Sequence, residues 1–266
     1  MTARQQNLAL VGILVVILAV AAYFLRTPSE DAGSAVKSPS PGASATTSAS
    51  GSATTSASAS ASPSPSPSPS VVPITKVAFI GDSFTAGTGA STPAKRWTTL
   101  LASANRWTET NLGHPQTGYL RAGTQAPCTA ETCPNYQSSV VAAVQAAPQL
   151  VIVSGGANDL DQDQAAATAA VTKTLTDLKA GLPSATIVVV NPWWDMRKDN
   201  PALPAYTEAI KAAAAAVGVT YADTGQPLTG HVDRVTSDGL QANDLGHQVM
   251  ADGVKGALKL AGVPVK

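Results

Sequence analysis

From Val71 onward, short runs of apolar, largely β-branched residues alternate with longer stretches in which apolar residues recur every three or four positions. Val77 to Ile80, Leu150 to Val153, Ile187 to Val190 and the weaker Val219 to Tyr221 read as buried strands, and Thr108 to Leu112 is a further candidate. Val171, Leu175, Leu178 and Leu182 share one face of a helix that Gly181-Leu182-Pro183 ends. Ala205 to Val217 is an alanine-rich helix closed by Gly218, and Leu245, Val249, Val254 and Leu258 form the apolar stripe of a last helix. Strand and helix alternating in this way predict a parallel sheet with helices on both faces. In such sheets the chemistry gathers in loops at the carboxyl ends of the strands.

The pattern upstream is different and sets domain limits. Leu8 to Leu25 carries no charge and would span about 27 Å as a helix, enough to cross a bilayer. Residues 1–26 therefore read as a transmembrane anchor or uncleaved signal, with a cleaved signal peptide as the competing reading. The charges flanking the run give a weak bias that favours the amino terminus inside and the bulk of the chain outside. Ser38 to Ser70 contains only Ser, Ala, Thr, Pro and Gly, too little apolar surface to offset the entropy of ordering. Residues 27–70 are thus expected to be a disordered linker, its low-complexity part reaching roughly 30 to 35 Å as a flexible coil. The globular part is residues 71–266.

Charge and cysteine content narrow the function classes. The formal net charge is +0 and no cluster of Lys and Arg with interleaved aromatics stands out, which argues against nucleic acid as a partner. The two cysteines, Cys128 and Cys133, lie close together in a proline-containing loop, and in an oxidising compartment they would form a disulfide. With no Cys-x-x-Cys, no His-Glu-x-x-His and three histidines in all, neither a metal nor another cofactor is expected.

Polar residues follow the predicted strands. Gly81-Asp82-Ser83-Phe84-Thr85 comes after the first, Gly113 to Gly118 after the second, Gly155-Gly156-Ala157-Asn158-Asp159 after the third, and Asp244-Leu245-Gly246-His247 opens the last helix. Each alone is an ordinary turn or helix cap. Together they supply the parts for acyl transfer: a serine, a histidine with an acid three residues before it, and neutral amide donors. Ser83 would attack, His247 would take its proton, and Asp244, one helical turn earlier, would orient the imidazole. The developing oxyanion would meet the Ser83 N–H, the Asn158 side-chain amide and a backbone N–H from the Gly113 to Gly118 loop. Asp82 shapes the turn, Asp161 and Asp163 look like helix-start residues, His231 reads as a surface residue, and His114 could line the site. Trp193 and Trp194 follow a strand end, where they either line the substrate site or plug the core.

Gly81-Asp82-Ser83-Phe84, Gly156-Ala157-Asn158-Asp159 and Asp244-Leu245-Gly246-His247 together resemble three sequence blocks of the SGNH hydrolases, the GDSL esterase/lipase family. The resemblance implies a flavodoxin-like three-layer α/β/α sandwich around a five-stranded parallel sheet, and hydrolysis of esters on lipids, polysaccharides or small molecules. The chain departs from the family in Phe84, where Leu is usual, and in Gln116, where the oxyanion glycine is expected. The loop donor would then be Gly118, with Gly113 or the Gln116 N–H as alternatives. The expectation is an outward-facing, membrane-tethered serine esterase acting by a Ser83/His247/Asp244 triad on a polysaccharide acyl group or a lipid. Two alternatives stay open: an acyltransferase on glycans with the same triad, and a catalytically idle wall- or ligand-binding domain.

Overall fold

The computed structural model describes residues 73–195 and 197–266, so the expected anchor and linker, residues 1–26 and 27–70, lie outside the described residues. Five strands, β1 (Lys76–Gly81), β2 (Thr108–Gly113), β5 (Leu150–Ser154), β6 (Thr186–Val190) and β7 (Thr220–Ala222), form a parallel sheet in the order β2-β1-β5-β6-β7. They coincide with the predicted runs to within a residue or two. Two short strands, β3 (Thr124–Gln125) and β4 (Cys128–Thr129), pair as an antiparallel hairpin on the connection after β2. Within it Cys128 and Cys133 are joined by a disulfide, as the sequence predicts.

The period of two along each strand divides the core in two. Val77, Phe79, Ile152, Val188 and Val190 point to one face, where they pack against Trp97 and Leu101 of α2 (Trp97–Asn105) and Met250, Val254 and Leu258 of α6 (Asp244–Leu260). Ala78, Ile80, Val151, Val153, Ile187 and Val189 point to the other. That face meets Val140 of α3 (Tyr136–Ala146), Val171, Leu175 and Leu178 of α4 (Gln164–Gly181), and Ile210 of α5 (Leu203–Val217). The result is three layers, α/β/α. Strands buried on both sides explain why β1, β5 and β6 read as unbroken apolar runs.

Local chemistry sets the helix ends. Asn135, Asp163 and Asn243 cap α3, α4 and α6 by accepting from the N–H groups of Ser138, Ala166 and Gly246. Gly218 closes α5 at φ 72°, the left-handed conformation glycine adopts at least cost. The last helix departs from expectation in its facing. Its inward positions are Gly246, His247, Met250, Ala251, Val254, Ala257 and Leu258, whereas Leu245 is 49% exposed. The stripe read from Leu245 and Val249 is therefore rotated by about a position. This rotation matters for the site, because it turns His247 into the core.

Candidate active site

The strand ends are level: Gly81 lies beside Gly113 and Ser154, and Ser154 beside Val190. The loops that follow β1, β2, β5 and β6 therefore meet at one edge. Ser83 opens α1 (Ser83–Ala86), a single turn capped by Asp82, whose carboxylate accepts the Phe84 N–H at 3.0 Å. A side chain at Gly81 would overlap Thr85, so the glycine lets the chain turn this sharply from strand into helix. Burial pushes the Asp82 carboxyl up to about 7.

The loop after β2 presents one donor to the serine. The Gln116 N–H donates to Ser83 Oγ at 3.0 Å, from a backbone at φ 59°. This corrects the expectation for Gly118. The Gly118 N–H donates to Arg121 O at 2.9 Å, and the Gly113 N–H to the Asn111 side-chain oxygen at 2.8 Å, so both are spent within the loop. Gly118 is needed for another reason: a Cβ there would overlap the carboxylate of Asp159. That carboxylate is buried and accepts from the N–H groups of Tyr119 (2.7 Å), Arg121 (2.8 Å) and Leu120 (3.3 Å) and from the Tyr206 hydroxyl (3.2 Å). Burial raises the Asp159 pKa, against the pull of these donors. Asn158, in the turn after β5, donates its side-chain amide to Thr117 O at 2.9 Å, which ties this turn to the same loop. Asp163 is a helix cap as predicted, but Asp161 pairs with Arg121 instead.

Ser83, Gln116 and Asn158 line a cavity of about 310 Å³. A more apolar cleft of about 520 Å³ lies at the opposite ends of the strands, beside Gln149 and Thr186, and holds none of these groups. The predicted base is absent from the serine's cavity. His247 has no exposed surface; its Nδ1 faces the Trp97 N–H and its Nε2 faces Thr88 O, each at 3.4 Å. These partners suit the tautomer protonated on Nε2, which leaves neither ring nitrogen free to accept from Ser83. Burial lowers the His247 pKa. Asp244 accepts instead from the Ser91 N–H (2.8 Å) and hydroxyl (2.7 Å), which hold its pKa below the usual carboxylate value. The structure thus brings Ser83, Gln116 and Asn158 together and leaves the Asp244/His247 pair outside, because the inward face of α6 carries the histidine into the packing against α2.

Gln241, which the sequence reading did not single out, lines the cavity with Ser83. It follows Asp238 at the spacing that separates Asp244 from His247. Asp238 accepts from the Thr236 hydroxyl (2.6 Å) and the Leu240 N–H (3.0 Å), both of which lower its pKa. That repeated spacing was the available signal, concealed because glutamine is not a base. Trp193 is 1% exposed, donates Nε1–H to Thr224 Oγ1 at 2.7 Å, and stands edge-on to Trp97 and Phe84 at 5.4 and 6.3 Å. It plugs the core and reaches the cavity wall with almost none of its surface exposed. Trp194 is not in the wall; Arg197 covers its ring at 4.5 Å. Neither His114 nor His231 lines the cavity. Among the described residues no group of three or more His, Cys, Asp or Glu is placed to hold a metal ion.

Comparison with known proteins agrees with the fold and with the family resemblance. A model of the GDSL-like lipase/acylhydrolase family matches residues 79–249. A GDSL lipase of Mycobacterium tuberculosis is 28% identical over 193 residues, covering 67% of this chain and 79% of its own. Two solved structures share the fold at low identity. An esterase from Pseudoalteromonas, inhibited by monoethylphosphonate, is 14% identical with a TM-score of 0.55, over 71% of this chain and 99% of its own. A salicylyl-acyltransferase from a tetracycline biosynthetic pathway is 18% identical with a TM-score of 0.56, over 74% of this chain and 57% of its own. With its five-stranded parallel sheet and its serine block at the carboxyl edge inside the matched region, the chain belongs to the GDSL-like lipase/acylhydrolase family.

Proposed function

We propose that this domain binds carboxylic esters with the carbonyl at Ser83, and that in its present arrangement it acylates slowly. The observation that carries the reading is the 3.0 Å contact from the Gln116 N–H to Ser83 Oγ, with the Asn158 amide in the same cavity. A donor already aimed at the serine oxygen lies close to where the ester oxygen gains charge on attack. Attack on the carbonyl forms the bond from Ser83 Oγ, places the negative charge on the carbonyl oxygen and releases the serine proton.

That proton passes to water, since no side chain of the wall is placed as its base, and collapse of the intermediate expels the ester's alcohol. Asp82 turns one oxygen to Phe84 and packs the other against Gly155, while Asp195 is held by the Arg197 Nε at 2.9 Å to each oxygen. The Gln241 amide is no base near neutral pH. A serine with its oxyanion donors but without its base retains roughly 10³- to 10⁴-fold catalysis over water. The domain therefore sits between a slow esterase and an ester-binding module. An extracytoplasmic location is part of the proposal, supported by the Cys128–Cys133 disulfide and by the apolar run and linker of the sequence. It suits esters of cell-surface glycans or lipids.

The test is labelling by a fluorophosphonate. Wild type should label slowly, Ser83→Ala not at all, and Gln241→His at least about a hundredfold faster, the scale of a supplied general base. If His247→Asn abolishes labelling in a protein that remains folded, then Ser83, His247 and Asp244 do assemble in solution and slow acylation is the wrong reading.

A further inference from the structure

Two arginines stand in the wall of the Ser83 cavity, Arg121 from the loop after β2 and Arg197 from the segment after β6. Both are held in place. Arg197 gives its Nε to both oxygens of the buried Asp195, and its guanidinium carbon stands 4.5 Å from the centre of the Trp194 ring. Its two terminal nitrogens are left outside that pair. Arg121 pairs with Asp161, a carboxylate 66% exposed and outside the cavity wall, while its own Nε is shut off from solvent with no hydrogen-bond partner among the described residues. Water competes for so exposed a pair, and a ligand carboxylate in the cavity can compete for the same guanidinium.

The charges in the wall are Arg121, Arg197, Asp82 and Asp195. Asp195 offsets Arg197 and Asp161 offsets Arg121, but each pair engages only one nitrogen of its guanidinium, Nε of Arg197 and Nη2 of Arg121, so among the described residues each arginine keeps N–H donors beyond its pair. A neutral acetyl or alkyl ester meets these donors only as a weak acceptor. A carboxylate matches them in charge, and a planar guanidinium matches a carboxylate in shape.

Resting on the reading of Ser83 as the ester site, we infer that the preferred substrates are esters bearing a second, free carboxylate, such as hemiesters of dicarboxylic acids or esters of sugar acids. Arg121 and Arg197 are the residues that recognise it. This differs from the acetyl or lipid ester that the sequence alone suggests. It is a property of the donors in the cavity wall, and so it holds whether acylation is fast or slow.

Binding separates this inference from turnover. Methyl hydrogen succinate and methyl butyrate, of similar length and different charge, are compared as protectants of Ser83 against a neutral fluorophosphonate, at pH 6.5 and low salt. The hemiester should protect at a concentration at least about tenfold lower. That preference should shrink toward unity in Arg197→Gln and in Arg121→Gln, and partly return in Arg121→Lys. Asp159 binds the backbone N–H of Arg121, not its side chain, so these variants leave the loop anchor in place; thermal melting verifies that they fold. Equal protection by the two esters, or a preference that both variants retain, overturns this inference alone. Protection by neither ester overturns the ester reading together with it.

Discussion

Gln116 occupies a left-handed backbone conformation, φ 59°, that a glycine would hold at about 1 kcal/mol less strain. Its role toward Ser83 uses only the backbone N–H, so the side chain is free to vary. Gln116→Gly should therefore leave the fluorophosphonate labelling rate within a few-fold of wild type and shift stability by no more than about 1 kcal/mol. Asn158→Ala removes an amide that faces the cavity, and labelling should slow by about 10² to 10³. Equal rates in the Asn158 variant would remove it from the oxyanion site. Asp82 gives a signature in pH. Its folded pKa, about 7, is above the ordinary 3.8, so the protonated form is the one the fold favours. The stability this contributes is complete below about pH 3.8, declines as pH rises through the window, and is gone above about pH 7. At about 1.4 kcal/mol per pH unit, the whole change is on the order of 4 kcal/mol. Asp82→Asn keeps the cap oxygen and loses the titration. Denaturant midpoints between pH 4 and 8 should fall for wild type relative to the variant, and parallel curves would contradict the assignment.

Among the elements, α6 and the loop after β2 decide the character of the site. The inward face of α6 takes His247, Met250, Val254 and Leu258 together, so the histidine serves the packing of α6 on α2. Its ring nitrogens face Trp97 and Thr88, and it is not in the wall of the cavity around Ser83. The loop after β2 is held by Asp159, whose carboxylate gathers three backbone N–H groups and a tyrosine hydroxyl. Asparagine at that position has one acceptor oxygen where the carboxylate has two, and its NH₂ would face N–H donors. Asp159→Asn should cost about 2 to 4 kcal/mol in chemical denaturation, the scale of several buried donors left unpaired. It should also slow Ser83 labelling, because Gln116 and Asn158 are positioned through this loop. A variant with normal stability and rate would show the loop to be anchored elsewhere.

For the molecule as a whole, the disulfide bears on where it works. Native protein recovered from outside the cell should yield no alkylatable thiol, and reduction should lower stability by about 2 kcal/mol, the value expected for closing so short a loop. Two freely alkylated thiols in the native protein would contradict an exported location. Much of this architecture was legible in the sequence. Apolar periodicity is a local property, so β1, β5, β6, α4 and α5 could be read from their own residues, and alternation of strand with helix implied the parallel sheet. Ser83 and Asn158 were legible because each directly follows a strand, where the fold exposes its loops. The disulfide followed from two cysteines that are neighbours in the chain. Tertiary structure alone decided which loop N–H meets the serine, because Gly113 and Gly118 are spent on partners that only the folded loop brings near. It alone turned His247 into the core, since a helix's facing is set by the surface it packs on. And it alone carried Arg121, Arg197 and Gln241, from three separate segments, into the wall around Ser83.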